Sequence, residues 1–237
     1  LVIRVVPGRE DDVVFVTRNL QRPANAENPV VIGQIEKEIA HLLTIPGDLL
    51  AELDSIVADK KKYSAQVRQL REYAKYLDGQ ISEAALEISG RDLTPAESAR
   101  LAGLVRISKL GDVLADQTGE LVEIVHQIQE RGITLTEASQ NAIQLTLIPC
   151  TMNMKTLADS FPYLPDSVNE AMRGQDDLLR KTITRQYGEY LDRFASHKTP
   201  SGTEFSRILF QIEGMAGTIR EIRKSARVLA GEPEPPS

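Results

Sequence analysis

The chain has 237 residues, 41% hydrophobic and 26% charged, with a formal net charge of −6 and a single cysteine. That acidic balance argues against a generic nucleic-acid binder, which carries a clustered basic stripe. One cysteine excludes an internal disulfide and fits a reducing compartment, and no apolar run approaches the roughly 20 residues that span a bilayer.

In chain order, residues 1–30 read as a leader, punctuated by Pro7-Gly8, Arg22-Pro23 and Asn28-Pro29. Val13 to Val16 suit a short strand or a segment packed on a bundle. The opening LVIRVVPGRE carries Arg4 and lacks the layout of a signal peptide. A start at Leu1 rather than Met reads as a piece of a longer or processed protein.

Helical periodicity then dominates. A stretch from about Ile32 to Val57 puts Ile35, Ile39, Leu42, Leu43, Leu49, Leu50, Leu53 and Ile56 on one stripe, with a break expected at Pro46-Gly47. A second, from about Tyr63 to Ile88, steps by three and four through Val67, Leu70, Ala74, Leu77, Ile81 and Ala84, and Gly90 ends it. Thr94-Pro95-Ala96-Glu97 reads as an N-cap, a first-turn proline and a capping-box glutamate. The seam that follows is Ile107, Leu110, Leu114, Gln117, Leu121, Ile124 and Ile128, stopped by Gly132.

The pattern restarts from Thr136 to Phe161, with Leu145, Ile148 and Leu157 on the stripe and a break expected at Pro149. A helix from about Asp166 to Ser196 runs through Met172, Leu179, Ile183, Tyr187, Tyr190 and Phe194. The last opens near Thr199-Pro200 and carries Phe205, Ile208, Ile212, Met215, Ile219, Ile222 and Leu229. Residues from Gly231, GEPEPPS, read as a helix stop and a disordered tail.

The halves align. Ile107 matches Ile212, Leu110 matches Met215, Leu114 matches Ile219, and Thr94-Pro95 matches Thr199-Pro200, each 105 positions on; Pro46 and Pro149 are 103 apart. The expectation is an all-α fold of six helices, two three-helix bundles related by a pseudo-twofold internal repeat, with repeats at 31–133 and 134–230.

Chemistry-bearing motifs are sparse. There is no G-x-S-x-G and no Walker loop, so the expectation is a protein that is not an enzyme. His41, His126 and His197 lack zinc-ligand spacing. Glu38-x-x-His41 and Glu123-x-x-His126 have di-iron spacing but lie off their seams. Cys150 reads as a buried structural thiol, the basic run Lys60 to Lys62 as a solvated helix start, and Met152, Met154 and Met215 as core. Gly111, Gly214 and Gly217 lie within helices, where they allow close packing.

The third helix of each half resembles the PhoU family, whose motif there is Asp-Leu-Glu-Arg-Ile-Gly-Asp. The first copy reads Arg106-Ile107-Ser108-Lys109-Leu110-Gly111-Asp112 and the second Gln211-Ile212-Glu213-Gly214-Met215-Ala216-Gly217. NPVVIGQIEKEI (28–39), DLTPAESARLAGLVRISKLGD (92–112) and EYLDRFASHKTPSGTEFSRILFQIEGMAG (189–217) look like segments of the cytoplasmic tails of bacterial sodium/phosphate cotransporters.

The resemblance implies metal ions held on the bundle surface by the motif's Glu and final Asp, four residues apart on one face. Here the first copy keeps Asp112 but has Ser108 for the Glu, and the second keeps Glu213 but has Gly217 for the Asp. The seam register turns all four away from the core. The expectation is a lost or vestigial cluster and no cofactor. Asp112 with Asp116 forms at most a weak divalent-metal site beside ordinary solvated acids. The implied function is a regulatory cytoplasmic domain of a sodium-dependent phosphate symporter at the bacterial inner membrane, its partner being the transporter's own membrane domain. The alternative is a stand-alone regulator of a phosphate transporter. A homodimer is compatible with both, and no nucleic-acid partner is expected.

Overall fold

The structure is a computed structural model that describes residues 4–5, 13–21, 26–52, 60–196 and 200–231. Leu53, Ile56, His197, the Thr199 cap and the tail from Glu232 lie outside these. So do the side chains of 60–64 and 191–201, and with them the Lys60 to Lys62 run, Tyr63 and Phe194.

Seven helices carry the described chain: α1 (Asn28–Leu42), α2 (Ile45–Ala51), α3 (Lys60–Ser89), α4 (Pro95–Glu130), α5 (Glu137–Ser160), α6 (Asp166–Ser196) and α7 (Pro200–Leu229). They match the expected six, because α1 and α2 are one stretch interrupted ahead of Pro46, which occupies the first turn of α2. Two-residue strands β1 (Arg4–Val5) and β2 (Val13–Val14) pair antiparallel in the leader. α4 opens on the expected capping box: the Thr94 hydroxyl accepts from the Glu97 N–H at 3.2 Å, and the Glu97 carboxylate accepts the Thr94 N–H at 2.8 Å. Gly132, at φ +64°, follows its last turn.

α1/α2, α3 and α4 form one bundle, α5, α6 and α7 the other, and α4 lies along α7 as the largest interface in the molecule. The two run antiparallel, since Gly103 meets Leu229 while Arg131 meets Glu204. The seams fill the interior: Ile107, Leu114 and Leu121 on α4, and Ile208, Ile212, Met215, Ile219 and Ile222 on α7, are buried in one continuous apolar cluster. Burial of this kind contributes roughly 1.5–3 kcal/mol per large side chain.

Residues 15–19 of the leader are strapped to the bundle. Phe15 packs its ring against Tyr73 and Tyr76, with centroids 5.4 and 5.8 Å away. The backbone N–H groups of Arg18 and Asn19 donate to the carboxylate of Glu38, at 3.1 and 2.6 Å, and Glu38 is fully buried. Tyr73 gives its hydroxyl proton to the Val16 carbonyl at 3.0 Å. His41 Nε2, also 3.0 Å from that hydroxyl, must then be the donor to it, because a phenol has one proton to give.

Two expectations for the second half need correction. Pro149 does not break α5, which is continuous from Glu137 to Ser160. The missing N–H at Pro149 frees the carbonyl of Leu145, one turn back, and Leu145 lies on the exposed side of the helix, open to solvent. Because α5 stays straight, Leu145, Ile148 and Met152 are carried out of the core, 54%, 57% and 51% exposed. Their counterparts at the proline offset of 103, Leu42, Ile45 and Leu49, are fully buried, because the break between α1 and α2 turns both segments onto α4. Met154 and Met215 are core, as expected.

Candidate functional site: the polar face between α3 and α4

The motif face of α4 does not look out to solvent. Ser108 is fully buried against α3 and donates its hydroxyl to Asp78 Oδ1 at 2.7 Å. α4 is packed by α1, α2, α3 and α7 together, so its buried surface is far wider than one seam. The expectation that Ser108 faces away from the core is therefore wrong. Glu213 is exposed as expected, and Asp112 lies at the edge, its side chain 14% exposed.

Beside Ser108, the Lys109 ammonium reaches Asp112 Oδ2 at 2.7 Å and Asp78 Oδ2 at 3.3 Å, tying a carboxylate of α3 to one of α4. The hydrogen bond to Asp112 raises the Lys109 ammonium above the usual lysine range; partial burial opposes this and the charge of Asp78 adds to it. Two turns further along α3, Arg71 crosses to α4. Its Nη2 lies 2.9 Å from Asp116 Oδ1 and its Nη1 3.0 Å from Glu123 Oε1. The guanidinium stem lies across Gly119, where a Cβ would sit 2.4 Å from Arg71 Cδ; only a residue without one fits beneath the stem as it lies. Gly111 likewise lets Leu42 approach, at 3.1 Å from the position of a Cβ. Gly217 meets nothing within 4 Å, so packing does not explain it.

These donors do not fit a metal cluster. Asp112 is held by Lys109 and Asp116 by Arg71, while Glu213 is on another helix. Among the described residues, no three His, Cys, Asp or Glu side chains gather where they would share an ion. The Glu-x-x-His pairs diverge as well. Glu38 is buried under the leader, His41 bonds Tyr73, Glu123 bonds Arg71, and His126 Nδ1 lies 3.6 Å from Glu130. Cys150 is fully buried, and burial pushes its thiol up to about 12, with Asp176 adding to the rise. A thiol in that state is no nucleophile.

The second bundle has a polar device of its own. Arg220, Arg223 and Arg227 of α7 reach α6: Arg220 Nε to Asp176 Oδ2 at 2.8 Å, Arg223 Nη1 to Asn169 Oδ1 at 2.5 Å, and Arg227 Nη1 to Asp166 Oδ1 at 2.6 Å. Arg223 and Arg227 are buried. Sequence reasoning missed this ladder, and it missed Asp78 and Arg71. A signal for the ladder was present, since its positions match Ala115, Thr118 and Val122 at the 105-residue offset. What these faces do chemically is hold helices in register; neither presents an activated nucleophile or a proton-transfer pair. Among the described residues, no helix is long and apolar enough to cross a membrane.

No protein-family model and no curated protein sequence matches the chain. Among solved structures, the crystal structure of the phosphate transport system regulatory protein PhoU from Streptococcus pneumoniae is similar with a TM-score of 0.73, covering 89% of this chain and all of that one at 14% identity. The chain has the PhoU-like all-α fold.

Proposed function

We propose that the chain is a non-catalytic regulatory domain acting in phosphate transport, specifically the cytoplasmic PhoU-like domain of a sodium-dependent phosphate symporter. The observation that carries the reading is the fold likeness over nearly the whole chain to a regulator of a phosphate transport system. The resemblance of 28–39, 92–112 and 189–217 to cotransporter tails supports the finer assignment. The strapped leader fits it too. Whatever pulls on residues 15–21 pulls on Glu38 of α1 and Tyr73 of α3, which is how a tethered domain would report to, or be moved by, a membrane partner. In this reading the domain works by contact, with no resident metal cluster, because Asp112 and Asp116 are neutralised by Lys109 and Arg71 and Glu213 stands on another helix.

The test has two arms. Extending the reading frame upstream of Leu1 should reveal hydrophobic spans, and deleting 26–231 from that longer protein should alter sodium-driven phosphate uptake without abolishing its expression. Finding no spans, together with co-purification of a separate phosphate transporter, would replace this reading by that of a stand-alone regulator acting in trans. Elemental analysis of chelator-free protein should find substoichiometric iron and zinc; a stoichiometric metal lost on Asp112→Ala would restore a metal-binding regulator.

A further inference from the structure

The outer face of α5 is apolar and uncharged over several turns. The 17 residues from Ala138 to Met154 carry no charge, and Glu137 and Lys155 bracket them. Ala138, Asn141, Leu145, Ile148, Met152 and Lys155 are all exposed, and they step along the helix by three and four. That is the spacing of a two-helix seam. Single exposed apolar residues need no explanation; a heptad row of them on an uncharged helix does. The row is flanked by an open groove of about 440 Å³ between the end of α4 and the start of α5, which is lined by uncharged residues including Val125, Ile133, Leu135, Ile143 and Leu147.

We propose that this face is the seam of a symmetric homodimer, in which α5 packs antiparallel against α5 of a second copy. A twofold axis between Thr146 and Leu147 sets Leu145 of one copy opposite Ile148 of the other, and Asn141 opposite Met152. The same operation places Lys155 beside Glu137 of the second copy, at both ends of the seam. A parallel pairing would set Lys155 against Lys155 and Glu137 against Glu137, so the bracketing charges select the antiparallel arrangement. The twofold makes the contact self-closing, since the same patch serves both copies. The dimer stands independently of the phosphate-transport reading.

Sedimentation velocity and light scattering on the chain test this directly. The expected mass is twice 26.2 kDa at high micromolar concentration. Ile148→Glu buries a charge in the seam and should weaken association at least about a hundredfold, giving a monomer of unchanged helicity by circular dichroism. Lys155→Glu should weaken association about tenfold, through two like-charge contacts per dimer, and adding Glu137→Lys should restore it. A wild-type monomer overturns the proposal, as does a dimer that persists in Ile148→Glu. A double charge swap no tighter than the single overturns the antiparallel seam. A monomer that instead floats with phospholipid vesicles through Ile148 overturns it in favour of a membrane surface.

Discussion

Ala115, Thr118 and Val122 of α4 are fully buried, and their counterparts 105 positions on are Arg220, Arg223 and Arg227 of α7. The same backbone template thus holds two different interiors. In the first bundle the α3–α4 contact is apolar but for the buried Ser108–Asp78 hydrogen bond, and it is tied at its edge by Lys109 and Arg71. In the second, guanidinium groups sit at the α6–α7 contact and acceptors from α6 meet them. Desolvation offsets most of the attraction in a buried ion pair, so such a ladder adds little net stability. It penalises misplacement instead: rotating α7 away from α6 takes all three guanidiniums off these acceptors.

Several substitutions would break or sharpen that comparison. The largest effect should be common to both bundles. Ile107→Ala and Ile212→Ala remove fully buried side chains at matched positions and should each cost ~2–5 kcal/mol in denaturant unfolding. Strongly unequal losses would mean that the repeat is one of sequence and not of packing. Next comes Arg220→Ala, which makes α7 resemble α4 at that position. It strands Asp176, whose side chain is 8% exposed, and should cost ~2–3 kcal/mol, under the fully buried figure because Arg220 is itself about one-third exposed. Restoration by a further Asp176→Leu change would confirm that the cost is the stranded charge.

Smaller effects come from the helix starts and the polar edge. Thr94→Ala should lose about 1 kcal/mol. Thr136→Ala should lose less, since Thr136 caps α5 through the Ser139 N–H alone, at 3.2 Å, with no reciprocal glutamate. Lys109→Ala should lose ~0.5–1 kcal/mol, because its ammonium is largely solvated; differential scanning calorimetry would register roughly 2–4 °C per kcal/mol. Last is a pH effect confined to the first bundle. Burial holds His41 below its ordinary 6.5, Arg18 adds to this and Glu38 opposes it. Its neutral form is thus favoured in the folded state, so stability is complete above pH 6.5 and falls as pH drops through the folded value. Protection factors at the Arg18 and Asn19 amides, taken relative to intrinsic exchange at each pH, should fall on acidification, and His41→Asn should flatten that response.

The seams, the capping box at Thr94 and the 105-residue repeat were legible because apolar spacing and cap chemistry are local. Ser108 was misjudged because a seam read from apolar residues alone marks one face, whereas a helix packed by four others buries polar residues as well. Asp78, Arg71 and the α7 arginines escaped notice because their meaning lies in a partner on another helix. Pro149 looked like Pro46, but Pro46 stands in the first turn of a new helix whereas Pro149 lies within α5, on a helix whose freed carbonyl is open to solvent.

Cys150 turns the second bundle into a self-reporting instrument. Its thiol is fully buried and held near 12, so at pH 8 almost none of it is thiolate, and none is within reach of a reagent. Alkylation must wait for the core around α5 to open. As the one sulfhydryl in the chain, it makes the labelling rate a clock for the opening of the core around α5. Clamping α5 between two copies should slow that clock, and the slowing would grow with protein concentration.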